Sequence, residues 1–115
     1  MRRLRRTRIV ATLGPASSEP VIIARLFEAG ADVFRINMSH TPHDKMRALV
    51  ASIRGIEAQY TRSIGILLDL QGPKLRIGTF EGDVVELKKR ATFVLDSDSA
   101  PGNGERVPAG LAGPL

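Results

Sequence analysis

The spacing of apolar residues alternates between two periods along the first 69 residues, and this alternation constrains the fold more than any other feature. Short apolar or alternating runs at 9–13, 32–39 and 64–68 have the length and composition of strands. Two stretches between them carry apolar residues at helical spacing, namely Ile22, Ile23, Leu26 and Phe27, then Met46, Leu49, Val50, Ile53 and Ile56. The order strand, helix, strand, helix, strand predicts parallel strands joined by crossovers, and hence an α/β fold.

Capping signals mark the ends of both predicted helices. Ser17 and Ser18 are candidate N-caps of the first helix, and Gly30 predicts its end. For the second helix, Thr41 is the predicted N-cap and Pro42 the first helical residue, because proline lacks the N–H that would be left unpaired there.

The chain changes character after Gly78. Residues 79–95 hold β-type runs around charged turns, which predict a small β segment. Residues 97–115 are rich in Gly and Pro and lack a periodic apolar face, which predicts a loop-like or frayed end. We therefore predict three parts: a basic disordered leader at 1–6, an α/β part at 7–76, and a β-rich part at 77–115 with a frayed C-terminal end.

Net charge is concentrated at the start of the chain. The 115 residues contain 17 Lys and Arg against 12 Asp and Glu, which gives a formal charge of +5. Five of the cations lie in the first eight residues: Arg2, Arg3, Arg5, Arg6 and Arg8. The remaining 12 cations balance the 12 acids, so the body of the chain is not a cationic surface for nucleic acid. A nucleic-acid binder that uses only the basic start stays as an alternative, although it lacks interleaved aromatic residues.

Cysteine content and hydropathy limit the cellular compartments that suit this chain. The chain contains no Cys, which excludes a disulfide framework and a thiolate metal site and suits a reducing compartment. No apolar run approaches the roughly 20 residues that span a bilayer. We therefore predict a cytoplasmic protein that has no membrane partner.

Polar side chains cluster at the predicted carboxyl ends of two strands. Arg35, Asn37 and Ser39 alternate onto one face of the second strand, and Asp69 follows the third. Ligands of parallel α/β folds bind at this edge. The candidate site therefore comprises Arg35, Asn37, Ser39, His40, Asp69 and Arg76. Arginine offers a planar fork for phosphate, and the oxygen-bearing side chains suit a cation, which together point to phosphoryl transfer.

Several of these residues also have a purely structural interpretation. Arg35 could pair with a helix acid at a sheet edge, His40 could lie solvated in a loop, and Asp69 could cap the turn that follows it. Spacing alone does not choose between the structural and the functional interpretation.

Three segments of the chain resemble the N-terminal part of pyruvate kinases. They are ATLGPASS at 11–18, EAGADVFRINMSH at 28–40 and LLDLQGPKLRIG at 67–78, and they follow that family's order and spacing. The resemblance, which covers residues 7–95, implies the opening β-α-β-α-β units of a (β/α)8 TIM barrel, followed by the start of a small β-barrel domain inserted in it. A complete barrel needs about 250 residues, so the implied barrel is incomplete.

The resemblance also implies ligands for the candidate site. Arg35 would bind the phosphate of phosphoenolpyruvate. The residues that border the nucleotide phosphates of ADP or ATP would be Asn37, Met38, Ser39, His40 and Arg76. Those around a monovalent cation would be Asn37, Ser39, Asp69 and, through its backbone carbonyl, Leu70. The implied reaction transfers the phosphoryl group of phosphoenolpyruvate to ADP in glycolysis, giving pyruvate and ATP, with magnesium.

One departure from the family pattern bears on the cation. Most members carry Glu where this chain has Lys74. A Lys at that position resembles the potassium-independent type, in which a tethered ammonium replaces the charge of bound potassium. We therefore expect weak or no potassium dependence.

The resemblance implies that part of the site lies elsewhere. The family's catalytic lysine and its Glu and Asp ligands of magnesium lie on later strands, beyond Leu115, so no catalytic residue is expected within this chain and the chain alone should not turn over. The intact enzyme is expected to be a homotetramer. The alternative is a truncated, non-catalytic product that binds phosphorylated metabolites or a partner barrel.

Overall fold

The computed structural model describes residues 2–112 and divides the chain into two units, at 1–71 and 72–115. The first unit alternates strands and helices as the apolar pattern predicts. Its elements are β1 (Val10–Leu13), a short 3-10 turn (Pro15–Ser17), α1 (Pro20–Ala29), β2 (Val33–Asn37), α2 (His43–Tyr60) and β3 (Gly65–Asp69).

The three strands of the first unit form one parallel sheet in the order β1-β2-β3. Val10 is in register with Val33, and Asn37 is in register with Asp69. Parallel pairing brings the carboxyl ends of the strands to one edge, so the polar residues at 37 and 69 become neighbours. The α/β fold predicted from the sequence is confirmed.

The hydrophobic core lies between the sheet and the two helices. The residues that are fully buried there are Ile23, Phe27, Phe34, Ile36 and Ile53. Along β2, Phe34 and Ile36 are buried, whereas Val33, Arg35 and Asn37 are only partly so. This alternation is the period of a strand covered on one face, and it directs Arg35 away from the core.

Both helices begin at different residues from those predicted. Pro42, and not Thr41, is the N-cap of α2, and Ser17 and Ser18 bind Gly14 in the preceding turn instead of capping α1. Proline fixes an extended conformation just before the helix without a side-chain cap. The predicted end of α1 at Gly30 is confirmed. Gly30 has a φ of 134°, which glycine adopts without strain, and its N–H donates to two carbonyls in the last turn of α1.

The leader differs from the disordered segment that the sequence predicted. Arg3 donates to the carbonyl of Ala31 at 3.1 Å, and Arg5 donates to the Asp32 carboxylate at 2.8 Å. These acceptors lie in the turn that follows α1, more than 20 residues along the chain. Arginine side chains therefore tie the leader to the first unit.

The ion pair at Asp32 makes stability depend on pH. The hydrogen bond from Arg5, helped by the N–H of Ile9, lowers the pKa of Asp32 from 3.8 to about 2. Because the folded pKa is depressed, the stabilisation is present above 3.8 and is lost as the pH falls towards about 2. We expect Asp32→Asn to lower the melting temperature near neutral pH, with the difference from wild type vanishing across that window. A difference that stays constant with pH in thermal melts would contradict this account.

The second unit is a small sheet of three strands. They are β4 (Lys74–Ile77), β5 (Val94–Asp96) and β6 (Arg106–Ala112), in the order β4-β6-β5. β4 and β6 are antiparallel, whereas β5 and β6 are parallel. The unit begins before β4, at residue 72, and not at the predicted residue 77, because β4 pairs with β6.

The prediction of a loop at 97–115 is wrong for residues 106–112. Residues 106–112 form the central strand β6, in which Val107 is fully buried. Arg106 binds both carboxylate oxygens of Asp96 at 2.5 Å, which lowers the pKa of that acid. Residues 84–87, predicted as β, lie outside the strands, and residues 113–115 lie outside the described part of the chain. Within the described part, no helix is long and apolar enough to cross a membrane.

Candidate functional site

Arg35 and Asp69 meet at the carboxyl edge of the first sheet. The Nε atom of Arg35 donates to Oδ2 of Asp69 at 3.1 Å, and Nη2 donates to the same oxygen. The third nitrogen of the guanidinium, Nη1, lies 3.3 Å from Oγ1 of Thr12. The Arg35 side chain is 30% exposed. Arg35 does pair with an acid, but the acid belongs to the next strand and not to a helix, so the guanidinium is held at the site and stays partly exposed.

The turn after β2 contains four of the predicted nucleotide-binding residues. The N–H of Ser39 donates to Oδ1 of Asn37 at 3.0 Å, and the N–H of His40 donates to the carbonyl of Asn37 at 3.2 Å. The N–H of Met38 reaches the carbonyl of Asp69 at 3.0 Å. The strand therefore ends at Asn37, two residues before its predicted end, because the Asn37 side chain folds the chain into a turn.

A cavity of about 350 Å³ opens beside this turn. Its lining residues come from the ends of β1 and β2, the turns that follow them and the first two turns of α2. They are Thr12, Leu13, Gly14, Pro15, Ser18, Asn37, His40, Thr41, Lys45 and Leu49. None of these described lining residues is acidic, and Lys45 adds a cation. The cavity thus combines apolar walls with groups that favour an anion.

Two residues of the site, Thr12 and Lys45, were not among those predicted from the sequence. Thr12 had been assigned only to a buried strand, but its register partner is Arg35, so the two side chains share a face. Lys45 lies in the first turn of α2 and borders the cavity, and no local pattern marked it as a site residue.

The residues predicted to surround a cation lie at or next to the same edge. Asn37 and Asp69 are in register, Ser39 follows in the turn, and the Leu70 carbonyl comes directly after β3. Carboxylate, amide, hydroxyl and carbonyl oxygens are a hard ligand set that fits an alkali cation. The described residues contain no cluster of three or more His, Cys, Asp or Glu that could hold a metal.

Arg76 and Lys74 belong to the second unit. Both lie on β4, where Arg76 pairs with Gly110 and Lys74 with Ala112 across the antiparallel ladder. Arg76 lines an open cavity of that unit together with Gly78, Ser97 and Pro108.

The first unit thus defines an α/β protein whose polar site lies at the carboxyl edge of a parallel sheet. The sequence model of the pyruvate kinase barrel domain matches residues 4–106. A pyruvate kinase of Methylorubrum extorquens is 61% identical over 107 residues, which cover 93% of this chain and 22% of that protein. Pyruvate kinase II of Salmonella typhimurium is 45% identical over 112 residues, which cover 96% of this chain and 23% of that protein.

Solved structures agree with the sequence relatives. A crystal structure of a pyruvate kinase from Cryptosporidium parvum superposes with a TM-score of 0.81 at 33% identity, covering 91% of this chain and 22% of the other. The chain belongs to the pyruvate kinase family. It spans about a fifth of the length of these relatives.

Proposed function

We propose that this chain forms the N-terminal part of the (β/α)8 barrel, and the start of the inserted β-rich domain, of a pyruvate kinase. The whole enzyme would transfer the phosphoryl group of phosphoenolpyruvate to ADP, giving pyruvate and ATP in glycolysis. The observation that carries this proposal is the convergence of Arg35 and Asp69 at the carboxyl edge of a parallel sheet, in a chain that the family matches over residues 4–106. The chain alone is proposed to be inactive.

Arg35 is proposed to bind the phosphate of phosphoenolpyruvate. Its contacts with Asp69 and Thr12 hold the guanidinium in one orientation while leaving it partly exposed. Arg35 keeps one N–H on Nη1 and one on Nη2 that are not used in these contacts, and both lie in the plane of the guanidinium. A phosphate that accepts from them meets a pre-oriented donor group, so little side-chain entropy remains to be lost on binding. Phosphoryl transfer depends mainly on such positioning and on positive charge around the moving group.

The nucleotide phosphates are proposed to lie beside the turn after β2. Asn37, Met38, Ser39 and His40 form this turn, and Asn37 and His40 also line the cavity that favours anions. Arg76 of the second unit is proposed to add a further positive charge. The proposed partners are therefore phosphoenolpyruvate and ADP or ATP.

A monovalent cation site is proposed at Asn37, Ser39, Asp69 and the Leu70 carbonyl, where the oxygen set fits such an ion. When bound, the cation would supply positive charge next to the phosphoryl group. Lys74 is proposed to supply that charge in place of potassium. Magnesium is proposed to be held by residues outside this chain. A homotetramer in the cytoplasm is proposed from the family alone.

Potassium dependence is expected to follow the residue at position 74. The whole enzyme with Lys74 is expected to gain little activity when potassium chloride is added to a potassium-free buffer. Lys74→Glu removes the ammonium and is expected to make activity rise many-fold with potassium. Sodium and tetramethylammonium chloride at equal ionic strength serve as controls. A many-fold potassium response of the wild-type enzyme would contradict the proposal.

The length of the native product tests the proposed function. An antibody raised against residues 7–95 would capture the product from its own cells, and its intact mass would be measured. We expect a mass several times 12.5 kDa, as a whole pyruvate kinase requires. A mass near 12.5 kDa would overturn the catalytic role and leave the non-catalytic alternative. Titration of that short product with phosphoenolpyruvate would then decide whether it binds phosphorylated metabolites.

A further inference from the structure

Arg3 enters a pocket at the amino end of the parallel sheet, opposite the candidate site. Its Nη2 atom donates to the carbonyls of Phe27 and Ala31, the latter at 3.1 Å. The guanidinium carbon lies 5.0 Å from the centre of the Phe27 ring. The Arg3 side chain is only 8% exposed. A cation is thus buried between an aromatic face and the carbonyls at the negative end of α1.

Arg5 fills the neighbouring part of the same pocket. Its Nη1 atom donates to Oδ2 of Asp32 at 2.8 Å, and Nη2 donates to the carbonyl of Gly30. A Cβ atom at Gly30 would lie 3.1 Å from Nη2 of Arg5, so the glycine leaves room for the guanidinium. Arg2, Leu4 and Arg6 are exposed, which gives the leader an alternating pattern of inward and outward residues.

Asp32 is held in place by groups outside the leader. The N–H of Ile9 donates to Oδ2 of Asp32 at 2.8 Å, and the N–H of Asp32 donates to the carbonyl of Ile9 at 2.9 Å. Arg62 lies 3.6 Å from Oδ1. The carboxylate therefore keeps its position and a charge partner without Arg3 and Arg5.

One buried atom of Arg3 and one of the pocket lie close together without a hydrogen bond. They are Nε of Arg3 and Oδ1 of Asp32, at a separation of 3.5 Å. Nε belongs to the occupant and Oδ1 to the pocket, and their opposite charges attract across this distance.

We propose that this pocket is a binding site for an Arg-x-Arg peptide segment and that the leader occupies it as an intramolecular ligand. The carboxylate of Asp32, the carbonyls that end α1 and the Phe27 ring are the recognising groups. All three suit the planar guanidinium better than a lysine ammonium. The site is distinct from the phosphate and nucleotide site, which lies at the other end of β2.

The test compares two double variants of the full chain that lose the same charge. Arg3→Ala with Arg5→Ala empties the pocket, whereas Arg2→Ala with Arg6→Ala changes only exposed side chains. We expect the first pair to lower the melting temperature by about 10 °C and the second by no more than about 2 °C. Equal shifts for the two pairs would overturn the proposal.

Binding of a separate leader peptide distinguishes a recognition site from a contact that is only structural. A synthetic peptide of residues 1–8 is titrated into the Arg3→Ala, Arg5→Ala chain by calorimetry. We expect saturable binding there and none to wild type, because the tethered leader competes at an effective concentration on the order of millimolar. The same peptide carrying Arg3→Ala and Arg5→Ala should not bind, whereas one carrying Arg2→Ala and Arg6→Ala should. Binding of all peptides alike, or of none, would overturn the proposal.

Cleavage by trypsin tests the proposal on the wild-type chain. This test does not depend on whether the Arg3→Ala, Arg5→Ala variant folds. Cleavage after an arginine requires its side chain to enter the protease. We expect the first cuts in the leader after Arg2 and Arg6, with those after Arg3 and Arg5 at least tenfold slower by mass spectrometry. Equal rates at the four positions would show that the pocket is not occupied and would overturn the proposal.

Discussion

Replacing Arg35 with Met is expected to lower kcat/KM for phosphoenolpyruvate by at least about 100-fold, equivalent to about 3 kcal/mol of lost binding to the phosphate. The assay uses a chimera in which the aligned 107 residues of the Methylorubrum extorquens pyruvate kinase are exchanged for those of this chain. The loss arises because methionine keeps the length of the side chain but removes both the charge and the donor fork. Asp69, which accepts two bonds from Arg35, is also left without this partner.

Arg47→Met is the matched control for this prediction. Arg47 lies exposed on α2, outside the cavity, so the same substitution there should leave kcat/KM within about twofold of wild type. The proposed phosphate site would be contradicted if the two variants had equal activity.

Phe34→Ala is expected to destabilise the chain by about 3–5 kcal/mol, a large part of the 5–15 kcal/mol that holds typical domains together. Phe34 is fully buried on β2, in the core cluster that also contains residues of both helices, and its removal is expected to leave a cavity that the packed neighbours do not fill. Urea unfolding followed by far-ultraviolet circular dichroism measures the change.

A conservative variant and a surface control serve as comparisons for Phe34→Ala. Phe34→Leu should cost less, about 1–2 kcal/mol, and it gives a folded reference if the alanine variant unfolds. Val21→Ala, at a position 58% exposed on α1, should change stability by no more than about 0.5 kcal/mol. Equal losses for Phe34→Ala and Val21→Ala would show that the core has been placed wrongly.

Local patterns were sufficient to predict the order of strands and helices in the first unit. The strands and helices between Val10 and Asp69 follow from apolar spacing, because each element buries one face against its neighbours in sequence order. The meeting of Arg35 with Asp69 follows from the rule that parallel strands end at one edge. These predictions needed no information from distant parts of the chain.

The features that sequence reasoning missed depend on partners far along the chain. β6 looked like a loop because its Gly and Pro content hides a strand that is stabilised by pairing with β4, more than 30 residues earlier. The leader looked disordered because an arginine-rich segment is ordinarily solvated, and the acceptors that bind Arg3 and Arg5 lie at the end of α1 and in the turn after it. Lys45 was missed because only the folded chain shows that the start of α2 borders the cavity.

Steady-state turnover by the chimera tests the central claim most directly. If residues of this chain form the phosphoenolpyruvate end of a pyruvate kinase site, the chimera will convert phosphoenolpyruvate and ADP to pyruvate and ATP, with kcat within about tenfold of the parent enzyme. The lactate dehydrogenase-coupled assay measures pyruvate release. A folded chimera, verified by circular dichroism and size-exclusion chromatography, that showed no turnover above background would contradict the claim.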